Sequence, residues 1–251
     1  MRRMYVFVLV WLVAIALVYL FGQANLAFLF VASNIISPAS ALLPALYSLV
    51  LARRYGSDLK HKFARIWISL TMGLFLWLLG EITWSVYSLV LSVPVPYPSI
   101  ADLFWVVGYA PIVVFMIGYV MPFKEAFSSR RIAGAVGAAL LAALVVFSVL
   151  VGPVVSLGEE PLTQLFDLAY PALDIVLLGV SIAGMVLFLP GKLSRFWAWF
   201  NLGLIFIVIA DLIFSYSTAL DFYYTGHPLE LFYFLGDSAI LLGLYEHKRI
   251  F

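Results

Sequence analysis

The chain has 251 residues, of which 65% are hydrophobic and 11% charged, with a mean hydropathy of +1.10 and a net charge of +1. A soluble domain carries about 25% charged residues, so the composition excludes an ordinary soluble protein and points to the bilayer. Cysteine is absent, which excludes a disulfide framework, a thiol nucleophile and a Cys-based metal site.

A bilayer core needs about 20 consecutive apolar residues per helix. Eight runs meet that length: 4–21, 26–51, 66–91, 100–121, 132–155, 162–189, 196–219 and 229–245. The first follows Arg2 and Arg3, as a signal peptide would, but it is long and has no convincing small-residue cleavage site. It reads as a retained helix. The placement of Lys and Arg orients the set. All 14 basic residues fall before the first run, after the eighth, or between runs two and three, four and five, six and seven. The opposite loops, 23–25, 92–99, 156–161 and 220–228, carry none. The expected fold is therefore all-α: eight transmembrane helices in the cell membrane, with both termini cytoplasmic.

The sequence also repeats. Gly80-Glu81-Ile82-Thr83-Trp84-Ser85 in the third run parallels Ala210-Asp211-Leu212-Ile213-Phe214-Ser215 in the seventh, 130 positions later. The segment from Asp102 through Trp105 to Tyr109 parallels the one from Glu230 through Tyr233 to Asp237, 128 positions later. Ser37-Pro38-Ala39 and Tyr170-Pro171-Ala172 match more weakly. Two halves are expected, 1–122 and 123–251, each of four helices. Four is even, so the halves enter from the same side and form a parallel repeat, unlike the inverted repeats common in transporters.

Acidic residues stand where a membrane span should have none. Glu81, Asp167, Asp174, Asp211 and Asp237 lie within runs, and Asp102 and Glu230 lie at run starts. Counted from the run ends, all fall in the outer half, with no Lys or Arg at that depth. Ionisable groups in a span are costly and usually face the bundle interior. Helical spacing puts aromatic groups on the same faces: Trp77, Glu81 and Trp84; Asp102, Trp105 and Tyr109; Asp167, Tyr170 and Asp174; Glu230, Tyr233 and Asp237. Tyr and Trp donate to carboxylates, and their ring faces attract cations. An outward-facing acidic and aromatic cavity follows. Its expected ligand-binding residues are Glu81, Trp84, Asp102, Trp105, Tyr109, Tyr170, Asp174, Asp211, Tyr233 and Asp237. Plainer roles compete. Ser99 to Asp102 fits a capping box, and Pro228 before Glu230 fits a helix start. The deeper acids have no cap to serve, but protonated acids can act as glue between helices.

The segment Pro96-Tyr97-Pro98-Ser99-Ile100-Ala101-Asp102-Leu103-Phe104-Trp105, with Gly108-Tyr109, Tyr170-Pro171-Ala172-Leu173-Asp174, Ala210-Asp211 and Leu235-Gly236-Asp237, resembles the multi-helix membrane input regions that precede GGDEF, EAL or histidine-kinase output domains in bacterial signalling proteins. The resemblance spans the third to eighth runs. It implies a sensor that passes a conformational change to a cytoplasmic partner. No output domain follows Phe251, so the resemblance implies a stand-alone module.

Other chemistries find little purchase. An intramembrane aspartyl protease needs two carboxyls sharing a proton in close geometry, whereas Tyr170 stands four residues from Asp174 and Phe234 precedes Asp237 where a glycine is wanted. Only His227 lies on the outer side, too few ligands for catalytic zinc. No mid-span lysine serves a retinal, no paired histidines serve a haem, and no P-loop or dinucleotide fingerprint occurs. A non-enzymatic role is favoured over an enzymatic one without closing the question, no metal or cofactor is expected, and the basic loops are explained by topology, not nucleic acid. A ligand-binding sensor remains, taking a cationic or polar small molecule from outside. Beside it stand a proton- or cation-coupled transporter and an assembly subunit of a membrane complex.

Overall fold

A computed structural model describes residues 2–56, 60–126, 133–134, 137, 140–141, 144, 148, 160–188, 191–220 and 222–250. Its helices are α1 (Arg2–Gly22), α2 (Leu26–Tyr55), α3 (Lys62–Ser85), α4 (Ile100–Val120), α5 (Pro161–Phe188), α6 (Ser194–Ala219) and α7 (Leu231–Ile250). Among the described residues, seven helices are long and apolar enough to cross a membrane. The fifth expected run, 132–155, falls largely outside the described residues.

Local signals set the boundaries. Asn25 caps α2 by accepting from the Phe28 N–H. One π turn, Val86–Val90, ends α3 ahead of the proline-rich loop. Ser99 and Asp102 form the capping box of α4, the plainer role that the sequence allowed. His227 caps the 3₁₀ turn Pro228–Glu230, with Pro at its first position, and this turn leads into α7. Side chains that would be core in water face outward here, among them Leu9, Leu20 and Phe21 of α1, as suits a lipid-facing helix.

Lipid removes the hydrophobic drive between helices, so packing rests on close van der Waals fit and small residues. α3 crosses α4 where Gly73 meets Gly108: a Cβ on Gly73 would lie 2.8 Å from the Gly108 carbonyl and 2.4 Å from Ile112. α6 crosses α7 where Gly203 meets Gly236: a Cβ on Gly203 would lie 2.8 Å from the Gly236 carbonyl and 2.7 Å from Ile240. Gly203 stands 130 positions after Gly73, while Gly236 and Ile240 stand 128 after Gly108 and Ile112. These are the offsets of the sequence repeat.

The recurrence extends to single rings. Tyr55 of α2 stacks on Trp67 of α3 with centroids 5.5 Å apart, and Phe188 of α5 stacks on Trp197 of α6 at 5.6 Å. Trp67 also meets His247 of α7 at 4.5 Å, and Trp197 meets Tyr119 of α4 at 5.7 Å. Tyr119 and His247 are themselves repeat equivalents, 128 apart. Thr71 bonds the Trp67 carbonyl and Asn201 bonds the Trp197 carbonyl, again 130 apart. Helix pairing follows the same rule: α2 packs on α3 and α7, and α5 packs on α6 and α4. Trp67 lies beside Phe196, and Trp84 beside Phe214, so α3 and α6 run in the same direction. The described helices α2–α4 and α5–α7 thus make matching contacts.

The equivalent rings close one end of the bundle. Trp67, Phe115, Tyr119, Phe196, Trp197 and His247 are essentially inaccessible and contact one another across the bundle. The carboxylates gather toward the other end.

Candidate functional site

That other end is where α3 and α6 finish and α4, α5 and α7 begin. Asp174 of α5 and Asp211 of α6 converge on one hydroxyl: Tyr109 of α4 lies 2.7 Å from the Asp174 Oδ1 and 3.3 Å from the Asp211 Oδ2. Tyr233 of α7 donates to the other Asp211 oxygen at 2.7 Å. Across the bundle, Glu81 of α3 faces the Trp105 indole. Glu81 is the equivalent of Asp211, and Trp105 of Tyr233, so each half aims an aromatic donor from its last helix at a carboxyl on its penultimate one. Asp237, the equivalent of Tyr109, faces the Ser40 hydroxyl, which makes no hydrogen bond of ordinary geometry. Glu81 is within electrostatic range of Asp237, Glu230 and Asp211.

Burial divides these acids. Asp174 is fully enclosed, with 1% of its surface exposed. Glu81, Asp211 and Asp237 are half-buried and keep accessible surface. Trp84, Trp105, Tyr170 and Tyr233 are likewise half-buried, with Trp84 packed against Trp105 at 6.0 Å and Phe214 at 6.4 Å. Trp77 donates to the Trp105 carbonyl at 3.1 Å and holds that ring-bearing turn in place. Among the described residues, no Lys or Arg pairs with any acid of this cluster.

Two acids stand apart at the helix starts. Asp102 takes the Ser99 N–H and hydroxyl at 2.7 Å each and the Tyr170 hydroxyl at 2.9 Å, combining a cap with a bond to α5. Glu230 is held by four donors: the Gly226 N–H, Tyr223, Tyr19 and Ser33. Burial first, and then the Glu230 carboxylate, pushes the Tyr223 phenol well above its ordinary pKa, so Tyr223 stays a donor. Asp167 shares a helical face with Asp174 by spacing but lies at the surface, bonded to Tyr97.

The sequence did not single out Tyr19, Ser33, Tyr223 or Ser40. Tyr19 is the most remote, reaching Glu230 from 211 positions away. The described residues hold no group of three or more His, Cys, Asp or Glu placed to bind a metal ion. Comparison with family models, curated proteins and solved structures finds no match.

Proposed function

We propose that the chain is a sensor module of the cell membrane, with an outward-facing cleft that binds a cationic or polar small molecule. In this reading it has eight spans, N-in and C-in, as two parallel four-helix halves. The run 132–155 pairs with α1 as the fourth member of its half, and the basic end of the bundle faces a cytoplasmic signalling partner. The observation that carries the reading is the bridged pair Asp174–Tyr109–Asp211, set among accessible acids and aromatic rings with no basic partner. A carboxylate so placed is costly, and an amine or other donor in the cleft offsets that cost through charge-assisted hydrogen bonds and ring contacts. The resemblance of the 96–109, 170–174, 210–211 and 235–237 segments to bacterial sensor input regions supports the same reading.

A proton- or cation-coupled transporter is the second reading, favoured by the chain of polar contacts from Asp174 to Tyr233. The ring cluster at the opposite end argues against it. A transport site opens to both sides, and here the bundle below the acids is filled by Trp67, Tyr119, Trp197 and His247.

Native mass spectrometry of the detergent-purified protein tests the proposal. A co-purifying amine or polar molecule is expected in the parent. It should be reduced about tenfold in Asp211→Asn and Asp237→Asn, the loss of one charge-assisted contact, with unchanged melting. Equal occupancy in the Asn variants would remove the acids from the site. Uptake of the same molecule into sealed vesicles would favour the transporter.

A further inference from the structure

A mainly apolar concavity lies at the basic end of the bundle, away from the acid cluster. It has a volume of about 400 Å³ and is lined by Arg2, Tyr5, Val6 and Leu9 of α1, Arg195 of α6 and Glu246 of α7. Its one acid is already engaged. Glu246 is 3% exposed, takes Arg249 through both oxygens at 2.7 and 3.0 Å, and accepts from Tyr5 at 3.0 Å. Arg195 touches it only loosely, at 3.9 Å, with its own side chain 66% exposed. Arg2 is exposed and makes no hydrogen bond or ion pair. Two guanidinium groups therefore stand over the concavity with their charge largely uncompensated.

The remaining wall is apolar and faces outward. Val6 is 52% and Leu9 62% exposed, on a helix long and apolar enough to span a bilayer. Tyr5 and Trp199 sit at the same level, joined by the Trp199 N–H to the Tyr5 hydroxyl at 3.2 Å. Amphipathic rings of this kind mark the headgroup level of a membrane. The site thus has a cationic head, an aromatic floor and an apolar flank, in the order in which a phospholipid presents phosphate, glycerol backbone and acyl chain. Basic pockets between helices at this level suit anionic headgroups, and guanidinium suits phosphate oxygens through paired N–H donors.

We infer that the groove between α1 and α6 is a binding site for an anionic glycerophospholipid, with its phosphate between Arg2 and Arg195 and an acyl chain along Val6 and Leu9. A free phosphate does not account for the apolar flank. A zwitterionic lipid places its own cation against the arginines. This site is independent of the proposed ligand at the other end of the bundle.

The test is native mass spectrometry of the full-length protein in detergent, titrated with phosphatidylglycerol and with phosphatidylcholine of the same acyl chains. The expected result is at least about tenfold tighter binding of phosphatidylglycerol, as a charge-selective site requires. The double variant Arg2→Gln/Arg195→Gln should lose roughly thirtyfold for that lipid, about fivefold per surface arginine, and bind phosphatidylcholine as before. Arg53→Gln, a basic change elsewhere, should alter neither. Equal affinity of the parent for both lipids overturns the proposal, whether or not the double variant folds. So does full retention of phosphatidylglycerol by a folded double variant, or an equal loss in Arg53→Gln. Displacement of the lipid by a hundredfold excess of inorganic phosphate would assign the arginines to a free anion and also overturn it.

Discussion

The Tyr119 hydroxyl and the His247 Nε2 lie 2.8 Å apart, fully enclosed, and the two residues occupy the same position in the two halves of the chain. The hydrogen bond therefore joins α4 to α7 through residues that correspond in the sequence repeat. Trp67 and Trp197 flank it from either side.

Removing that bond should weaken the whole bundle. Tyr119→Phe leaves a buried ring nitrogen without this partner, at a cost of about 1–3 kcal/mol. Tyr119→Phe combined with His247→Phe should cost less than the sum of the single changes, because each alone strands the other's polar atom. Thermal unfolding in detergent measures all three variants. Strict additivity would show that the contact does not couple the halves.

The glycine crossings should respond as a matched pair. Gly73→Ala and Gly203→Ala each drive a methyl group to 2.8 Å from a facing backbone carbonyl, and forced overpacking costs about 1–3 kcal/mol. Gly191→Ala meets its nearest neighbour at 3.5 Å, an ordinary contact, and should be tolerated. A large difference between the penalties at Gly73 and Gly203 would mean that the two crossings do not support the fold equally.

Orientation is checked by reporter tags in intact cells. Tags after Phe251 or at 57–59 should be reachable only after the membrane is opened. Tags at Gly158 or Thr225 should be reachable from outside. A C-terminus accessible from outside would overturn the proposed orientation and exchange the faces of the acid cluster and the lipid groove.

What was legible in the sequence was local or periodic. Run length marked the spans, because the bilayer sets one thickness for all. Recurring motifs gave the offsets of 130 and 128, and with them the correspondence of Glu81 with Asp211 and of Trp105 with Tyr233. The ring stacks of Tyr55 on Trp67 and Phe188 on Trp197 were not legible. The helices of Tyr55 and Phe188 correspond at an offset of 133, where little beyond Pro38-Ala39 and Pro171-Ala172 agrees, and an aromatic residue in a span looks like ordinary packing. Spacing alone also grouped Asp167 with Asp174. One lies two turns nearer the end of α5, where the bundle opens, and spacing carries no depth within the bundle. The donors to Glu230 come from three separate segments, and nothing in the 14 tyrosines of the chain marks Tyr19 or Tyr223 as its partners.

Glu230 gives the sharpest separation between holding the fold and binding a ligand. Its Oε2 accepts from Tyr19 and from Ser33, the latter at 2.6 Å, and its Oε1 accepts from Tyr223 at 2.7 Å and from the Gly226 N–H at 2.8 Å. Each oxygen thus serves two donors. Glu230→Gln turns one oxygen into an amide nitrogen facing two donors, and each buried donor left unpaired costs about 1–3 kcal/mol. Tyr19→Phe removes one donor, leaves three in place, and should cost about 1 kcal/mol. Tyr19 also packs on Phe234 at 5.5 Å, so this corner fastens α1 to α7. Glu230→Gln is therefore expected to lower the melting point more than Tyr19→Phe, and to make α1 more accessible to limited proteolysis. Occupancy of the co-purifying molecule should not change in the fraction that stays folded. Asp211→Asn should do the reverse, keeping its melting point and losing the ligand. If Glu230→Gln kept its stability and lost the ligand instead, Glu230 would belong to the binding cleft and its four donors would be the wall of that cleft, not the anchor of α1.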